Sequence, residues 1–347
     1  MPSTPDHPAR AATLHDVARL ADVSLITASR ALRTPQVVSE KTRARVQEAV
    51  DATGYIPNLL AGGLKSRRSF VVAGLVPEIS VAQFLPTVAA LTTTLAQAGY
   101  QLMLGQTGYD HGREEPLVNA MIGRRPDGVV VTGLVHTAAA RTRLARAGIP
   151  VVETWDLSGD PLDMLVGFSH EAVGAAIALH LYDCGRRQVA IATGNDHRAA
   201  LRRRGFEQAW IRLTGASNAS SNASSSALPV VWVPAPSNLG LGRRALVELL
   251  ARHSGIDAVY CSSDQLAHGV LTEAQSRGLR VPEDLAICGF GDADFAAHTY
   301  PALTTVQIDG AGIGRRAAEL VIARCDGANT RGTVVDTGFK VVRRETT

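Results

Sequence analysis

The spacing of apolar residues changes near residue 70 and divides the chain into two regions. Before this point apolar residues recur every three or four positions, as they do on one face of a helix. After it, short runs rich in valine and isoleucine alternate with helical patterns. We therefore predict a small helical domain and a larger α/β domain. The predicted boundaries are a disordered arm over 1–12, a helical domain over 13–57, a linker over 58–69 and a core domain over 70–347.

Two short helices joined by a tight turn are predicted between Thr13 and Pro35. The apolar face of the first helix consists of Val17, Ala18 and Ala21. Ser24 is a favourable N-cap for the second helix, whose Ala28 and Leu32 face back onto the first. This packing leaves four residues that point outward, namely Leu25, Ile26, Ser29 and Arg30.

These outward side chains suit the major groove of DNA. Exposed aliphatic groups at a helix N-terminus are costly in water, but they can pack against thymine methyl groups, while an arginine can hydrogen-bond guanine. The segment therefore predicts a helix-turn-helix that binds DNA; the alternative is a helical hairpin that only packs. A third helix is predicted over 39–53, with Ser39 as its N-cap and Gly54 at its end.

Beyond residue 70 the strand runs are continuously apolar rather than alternating, which predicts parallel sheets covered by helices on both faces. The predicted strands lie at 70–77, 100–107, 128–134, 149–155, 188–194, 229–235, 257–263 and 285–291. The predicted helices lie at 84–99, 114–124, up to 148, 171–185, 201–213, 242–253 and 266–278. So many units need more than one sheet, and we expect two doubly wound subdomains. The serine- and asparagine-rich run 215–228 is expected to be a surface loop.

Charge is unevenly distributed along the chain. Up to Arg68 there are ten basic and six acidic residues, whereas the remainder has 25 basic and 26 acidic residues. A basic amino-terminal domain followed by a nearly neutral body fits a protein whose small domain neutralises the phosphates of a nucleic acid.

Several other classes of protein are disfavoured by the sequence. The polar start is not a signal peptide and no apolar run reaches membrane-spanning length, so we expect a cytoplasmic protein without a membrane partner. The four cysteines are far apart, and Asp264 and His268 lack a third ligand, so neither a metal nor another cofactor is predicted. The glycines at 310–314 lack the spacing of a dinucleotide fingerprint and no nucleophile elbow is found, so we predict no catalytic residues and no enzyme activity.

Motifs along nearly the whole chain resemble the LacI-type (lactose-repressor) family of bacterial regulators. The amino-terminal motifs are DVARLADVS, TASRAL and VSEKTRARVQEAVDATGYIPN, and later ones include ALRRRGFEQA, SSDQLAHG, GLRVPEDLAICGFGD and YPALTTV. The stretches YQLMLGQTGYD and PVVETWDLSGDPLDMLVGF are similar to the gluconate-operon repressor branch. The resemblance implies a helix-turn-helix headpiece and a periplasmic-binding-protein-like core of two doubly wound parallel-sheet subdomains. It also implies three crossovers between the subdomains, near Phe168, Ile308 and Val335.

The resemblance further implies that the headpiece binds double-stranded operator DNA. The implied DNA-binding residues are Ser24, Leu25, Ile26, Thr27, Ser29, Arg30, Asn58 and Leu64. In the family the segment around Leu64 is a hinge helix that inserts a leucine into the minor groove; a flexible linker is the alternative. Gly62 and Gly63 depart from the family, and each lowers helix propensity by about 1 kcal/mol. Asp22 stands where the family usually has glycine, and aspartate tolerates the left-handed backbone that this turn needs.

The core is implied to bind a small carbohydrate or sugar-acid effector between its subdomains. The implied effector-binding residues are Asp156, Arg202, Ser263 and Asp292. Aspartate suits the hydroxyls of a polyol, and arginine suits a carboxylate. Three of them have alternatives, since Arg202 fits a basic helix face, Asp156 a turn and Ser263 a helix cap. Gly291 stands where relatives often have aspartate, which removes one polar group from the expected site.

We therefore predict a sequence-specific transcriptional regulator, of the repressor type, for a sugar or sugar-acid operon, with its DNA affinity controlled by an effector such as gluconate. One headpiece reads only a half-site, so a homodimer on a near-palindromic operator is expected. Two alternatives remain: a transport-type binding protein would need a signal peptide, and a sugar-metabolising enzyme would need a phosphate loop or a catalytic set. Both an inducing and a co-repressing effector fit the sequence.

Overall fold

The chain divides into two compact units, residues 1–69 and 70–347. The computed structural model describes residues 10–56, 68–109, 111–135, 137–157, 159–215 and 228–347. The predicted DNA contacts Asn58 and Leu64, the glycines of the predicted hinge, residues 1–9 of the predicted arm and residues 216–227 of the serine-rich run lie outside the described residues.

The first unit is a three-helix headpiece. Its helices are α1 (Leu14–Leu20), α2 (Leu25–Arg33) and α3 (Glu40–Thr53), with a short 3-10 turn at Pro35–Val37 between the last two. The apolar core consists of Val17, Ala21, Ala31, Val46 and Ala49. The hydroxyls of Ser24 and Ser39 accept hydrogen bonds from the first turns of α2 and α3, as the pattern predicted. Gly54 ends α3 with a left-handed backbone, φ 63°.

The second unit contains two parallel sheets, as predicted. The first sheet has the strand order β11-β5-β4-β3-β1-β2. Its strands are β1 (Val71–Val76), β2 (Gln101–Gln106), β3 (Gly128–Thr132), β4 (Val151–Thr154), β5 (Met164–Gly167) and β11 (Val334–Asp336). The second sheet has the order β7-β6-β8-β9. Its strands are β6 (Val189–Gly194), β7 (Val230–Val233), β8 (Ala258–Cys261) and β9 (Ala286–Cys288). A separate antiparallel pair joins β10 (Thr305–Gln307) to β12 (Lys340–Val342).

Eight helices cover these sheets in the part of the second unit that the structure describes. They are α4 (Leu85–Gln97), α5 (Glu114–Ile122), α6 (Ala138–Ala147), α7 (His170–Asp183), α8 (His197–Thr214), α9 (Leu239–Arg252), α10 (Asp264–Ser276) and α11 (Gly310–Cys325). Successive residues of β1 show why its run is continuously apolar. Val72 packs in the core cluster that includes α4 and α11, whereas Ala73 packs in the cluster of α5 and α6.

The chain passes between the two sheets three times. The first passage follows β5 at Phe168 and the second follows β10 at Ile308, where they were predicted. The third follows β11, at residues 337–339, slightly beyond the predicted position at Val335. We call residues 70–167 and 309–336 the first subdomain, and residues 168–307 and 337–347 the second.

Three helices of the second subdomain begin earlier than predicted. Their N-caps are Asp196, Asn238 and Ser263, whose side chains accept hydrogen bonds from the first turns of α8, α9 and α10. The apolar period missed the first turns of α8 and α10 because they begin with polar residues, and that of α9 because it contains two glycines. In α8 the first turn that was missed contains Arg198.

Candidate DNA-binding surface and ligand cavity

The outward face of α2 is partly apolar, as predicted. Ile26 is 64% exposed and Leu25 is 38% exposed, whereas Ala28 on the opposite face is buried. Arg30 is exposed and Ser29 is half-buried on the outward side. This face therefore presents methyl-binding and guanine-binding groups from one helix.

The two hydroxyl residues at the start of α2 hold its first turn. The Ser24 Oγ accepts a hydrogen bond of 3.1 Å from the main-chain N–H of Thr27, and its hydroxyl lies 2.8 Å from the Thr27 Oγ1. The other N–H groups of a first helical turn have no partner within the helix, and such groups can donate hydrogen bonds to phosphate oxygens.

A cleft between the two subdomains of the second unit contains two adjoining cavities. Their volumes are about 560 and 330 Å³. Both lie at the carboxyl ends of the parallel strands, the usual position of ligand sites in doubly wound folds. The residues that line both are Tyr109, Asp196, Arg198, Ala235 and Pro236. Groups from both subdomains therefore surround one continuous space large enough for a monosaccharide-sized ligand.

Arg202 is the most deeply buried cation of the cleft, with 4% of its surface exposed. It lines the smaller cavity, and its guanidinium lies 3.9 Å above the ring of Phe290. Its Nη1 donates to the Nδ1 of His170 at 3.0 Å and its Nη2 to the carbonyl of Ser262 at 3.0 Å. The Nε has no hydrogen-bond partner among the described residues. Two hydrogen bonds therefore hold Arg202 in the wall of the cavity, so it does not lie on the exposed basic helix face that was the alternative.

Arg198 precedes Arg202 by one helical turn and lies on the same face of α8. It lines both cavities, and its guanidinium lies 5.0 Å from the ring centre of Phe84. Within the described part of the chain its buried Nη1 has no hydrogen-bond partner. Two guanidinium groups thus approach the cleft from a single helix.

The position of α8 depends on two glycines. A Cβ atom on Gly205 would overlap the main chain of Glu171 in α7, and one on Gly174 of α7 would overlap the main chain of Arg202. The two helices can cross this closely only because neither residue has a side chain. This contact sets the depth at which Arg198 and Arg202 enter the cleft.

Two of the other predicted effector residues also line the cleft. Asp156 is buried and lines the larger cavity. Ser263 lines the smaller cavity. It also caps α10 by accepting from the N–H of Leu266 at 3.3 Å, and its hydroxyl lies 2.8 Å from that of Ser237. Ser263 therefore both caps α10, which was the alternative, and lines the cavity.

The structure places Asp292 differently from the prediction. It is not among the residues that line either cavity. Its Oδ1 accepts from Arg344 at 2.7 Å and its Oδ2 from the side-chain amide of Gln307 at 2.8 Å. Because both oxygens are occupied by these protein donors, the carboxylate is turned toward Arg344 instead of the cleft.

The buried carboxylate at this end of the cleft belongs to Asp264. It lines the smaller cavity, and its oxygens accept from the hydroxyl of Thr305 at 2.6 Å and from the N–H of Ala293 at 2.7 Å. Burial raises the pKa of Asp264 to about 6. From the sequence, Asp264 was considered only as a metal ligand, together with His268. Its position directly after a strand, where cleft residues are found, is the signal that could have identified it.

Comparison with known proteins identifies the chain. A family described as "Bacterial regulatory proteins, lacI family" matches residues 13–58, and one described as "Periplasmic binding protein-like domain" matches residues 178–347. The HTH-type transcriptional regulator GntR of Pseudomonas aeruginosa is 37% identical over 96% of this chain and 95% of its own length. The chain belongs to the LacI family.

Other relatives agree with this assignment. The HTH-type transcriptional regulator GntR of Escherichia coli is 30% identical over 94% of this chain and 96% of its own length. The crystal structure of a LacI-family transcriptional regulator from Silicibacter pomeroyi has a TM-score of 0.88 at 31% identity, covering 96% of this chain and 99% of that one. The lac repressor dimer bound to operator and an anti-inducer has a TM-score of 0.83 at 22% identity, covering 97% and 99%, and shows the shared fold. The predicted headpiece and periplasmic-binding-like core are thus confirmed.

This LacI-family protein is a helix-turn-helix transcriptional regulator, and its relation to the GntR regulators agrees with the branch that the sequence resembled. Within the described residues no helix is long and apolar enough to span a membrane. Arg198 was missed because the helix was predicted to begin only at residue 201; Asp196, a favourable N-cap, was the available signal for an earlier start. His170 was also missed, and no pattern in the sequence distinguishes it.

Proposed function

We propose that this regulator binds a sugar acid such as gluconate in the cleft, and that binding changes the affinity of the headpiece for operator DNA. The observation that carries the proposal is that the buried guanidinium of Arg202 has no anionic hydrogen-bond partner among the described residues. Its charge is buried, its Nε is unpaired within the described chain, and both groups that accept its hydrogen bonds, the His170 ring and the Ser262 carbonyl, are neutral. A buried cation is costly without an anion, so a ligand carboxylate would supply the missing charge.

Arg198 supports the same proposal. Because it lies one turn from Arg202 and lines both cavities, a carboxylate at their junction could accept hydrogen bonds from both guanidinium groups. The polar groups of the larger cavity, which include Asp156, Asn195 and Asp196, would then face the hydroxyls of the sugar chain. A neutral sugar would fill the same volume but leave the guanidinium charges without a partner.

The headpiece is proposed to contact operator DNA through α2. Leu25, Ile26 and Arg30 would contact base edges, and Ser24, Thr27 and Ser29 would contact the adjacent backbone or bases. Contacts by Asn58 and Leu64 remain predictions of the resemblance.

A homodimer is proposed as the binding form, because a single helix-turn-helix reads only one half-site. The lac repressor, which shares the fold, is described as a dimer bound to operator. We propose no catalytic activity, since the relatives are regulators and no role in the proposed mechanism needs chemistry at a substrate.

Two measurements test the proposal. Calorimetric titration of the full chain should show binding of gluconate, with glucose and sorbitol at least about ten-fold weaker because they lack the carboxylate. A gel-shift with DNA from upstream of the protein's own gene should show a change in affinity with gluconate and none with sorbitol.

Arg202→Met should lose the gluconate effect, whereas Arg212→Ala, an exposed arginine of the same helix, should keep it. Equal affinity for gluconate and sorbitol would contradict a sugar-acid effector.

A further inference from the structure

His170 connects the two subdomains at the wall of the cleft. It is the first residue of α7, shortly after the first crossover, and it is fully enclosed. Its Nδ1 lies 3.0 Å from the Nη1 of Arg202, in the second subdomain. Its Nε2 lies 2.9 Å from the main-chain oxygen of Trp155, in the first subdomain. The imidazole therefore bridges a cleft residue and the opposite subdomain with one hydrogen bond on each side.

The donors and acceptors of this bridge have only one consistent order. A guanidinium only donates, so the Nδ1 of His170 must accept; a carbonyl only accepts, so the Nε2 must carry the proton. The ring is thus neutral, with its proton on Nε2. Burial lowers the pKa of His170 well below its usual value, and the nearby charge of Arg202 lowers it further. The rings of Phe168 and Phe290 beside it help to exclude water.

The bridge continues into the first subdomain through Trp155. The indole N–H of Trp155 donates to the hydroxyl of Thr87 at 3.0 Å, and that hydroxyl donates to the carbonyl of Gly310 at 2.8 Å. Gly310 begins α11, directly after the second crossover. Trp155 has φ 66°, which is unfavourable for a bulky residue and is maintained by its surroundings. A hydrogen-bonded chain therefore runs from the cleft to the second crossover.

We propose that His170 is a positioning residue that orients Arg202 toward the effector and transmits a change in Arg202 across the cleft to Trp155 and α11. The proposal rests on the proposed function, because it requires that Arg202 bind the effector. A carboxylate on Arg202 would withdraw the guanidinium toward the ligand and alter its bond to Nδ1. The bond from Nε2 to Trp155 would respond, since the same ring makes both bonds.

Two variants separate this role from simple packing. His170→Leu fills a similar volume without hydrogen bonds, whereas His170→Gln retains one acceptor and one donor. In calorimetric titrations of the full chain, His170→Leu should weaken gluconate binding by about 10- to 100-fold, the loss expected for a hydrogen bond to a charged group. His170→Gln should recover most of this affinity. In gel-shifts, the effect of saturating gluconate on DNA binding should be lost in His170→Leu and restored in His170→Gln.

A spectroscopic measurement on the wild-type protein keeps the test independent of how the variants fold. The ¹⁵N NMR signals of the His170 ring should be those of a neutral ring with its proton on Nε2, and they should shift when gluconate is added. A ring protonated on Nδ1, or a gluconate effect that both variants retain in full, would overturn the proposal while leaving the sugar-acid site intact. If wild type binds neither gluconate nor other hexonates, the proposed function itself fails.

Discussion

The guanidinium of Arg45 in α3 donates a hydrogen bond of 3.1 Å to the main-chain carbonyl of Asp22. It also donates to the carbonyl of Ala21 and lies 3.4 Å from the carboxylate of Asp22. Carbonyl groups at the end of a helix have no partner within it, so a side chain from another helix can satisfy them. Arg45 therefore ties the third helix to the turn that orients α2.

Arg45→Ala should loosen the helix-turn-helix by about 1–2 kcal/mol, because two turn carbonyls lose a donor. Hydrogen exchange of the α1 and α2 amides in the full chain should become faster, while exchange in the core stays the same. Arg43→Ala, on the exposed side of the same helix, is the matched control. Unchanged protection in the Arg45 variant would show that the contact is unimportant.

The turn itself should discriminate among residues at position 22. Asp22 has φ 49°, a left-handed conformation that costs a β-branched residue more than aspartate or glycine. Asp22→Val should lower the unfolding free energy of the headpiece by about 1–2 kcal/mol. Asp22→Gly should remain close to wild type. Equal stability of the valine and glycine variants, measured by exchange of the same amides, would argue against the strained turn.

Arg30→Ala should reduce specific operator affinity by about 1–3 kcal/mol, the range for one bidentate contact with a base. Gluconate affinity should not change, because the substitution lies in the headpiece. Arg212→Ala removes the same charge from the core and controls for net charge. Footprinting of the operator with both variants makes the comparison, and equal protection by the two would reject α2 as the recognition helix.

The crossing of α7 and α8 should be intolerant of side chains. Gly174→Ala would force the main chains of the two helices apart, and we expect a loss of about 2–4 kcal/mol in unfolding free energy together with weaker gluconate binding. Gly240→Ala, in the first turn of α9, meets its neighbours at ordinary distances and should be neutral or slightly stabilising. Urea unfolding of the two variants tests this; similar stabilities would contradict the close crossing.

Asp264 should make stability depend on pH in an unusual direction. Its pKa of about 6 in the folded protein lies above the ordinary value of 3.8, so the folded state holds the proton more tightly than the unfolded chain. Its contribution is therefore fully present below pH 4 and declines as the pH rises through 6. The unfolding free energy of wild type, relative to Asp264→Asn, should fall by about 2–3 kcal/mol between pH 4 and pH 7.

Asp284 provides a control of opposite sign. Its hydrogen bonds with Arg280 lower the pKa of Asp284 to about 2, so its contribution is present above pH 4 and is lost as the pH falls toward 2. The unfolding free energy of wild type relative to Asp284→Asn should thus fall as the pH is lowered, whereas that relative to Asp264→Asn should rise. A pH-independent difference for Asp264→Asn would show that this carboxyl titrates normally.

Much of the fold could be predicted from the sequence because it depends on neighbours along the chain. The caps Ser24 and Ser39 bond to groups three residues away, and the continuous apolar runs reflect burial of strands on both faces. Helix starts were less accurate where the first turn is polar, as in α8, since periodicity detects only the apolar face.

The ligand cavity was only partly predictable. Asp156, Arg202 and Ser263 do line the cleft, but Asp292 pairs with Arg344, which lies 52 positions further along the chain. Asp264 occupies the cavity wall and bonds to Thr305, 41 positions away. No local pattern reports such partners.

By itself, the sequence determined the helix-turn-helix, the two parallel sheets and the family, because periodicity, capping and motif spacing are local properties. Only the tertiary structure decided which charged side chains face the cleft and which are neutralised elsewhere. The bridge from Arg202 through His170 to Trp155 joins residues from three separate elements, and its direction follows from the donors that folding brings together. Such a bridge exists only once the two subdomains enclose it.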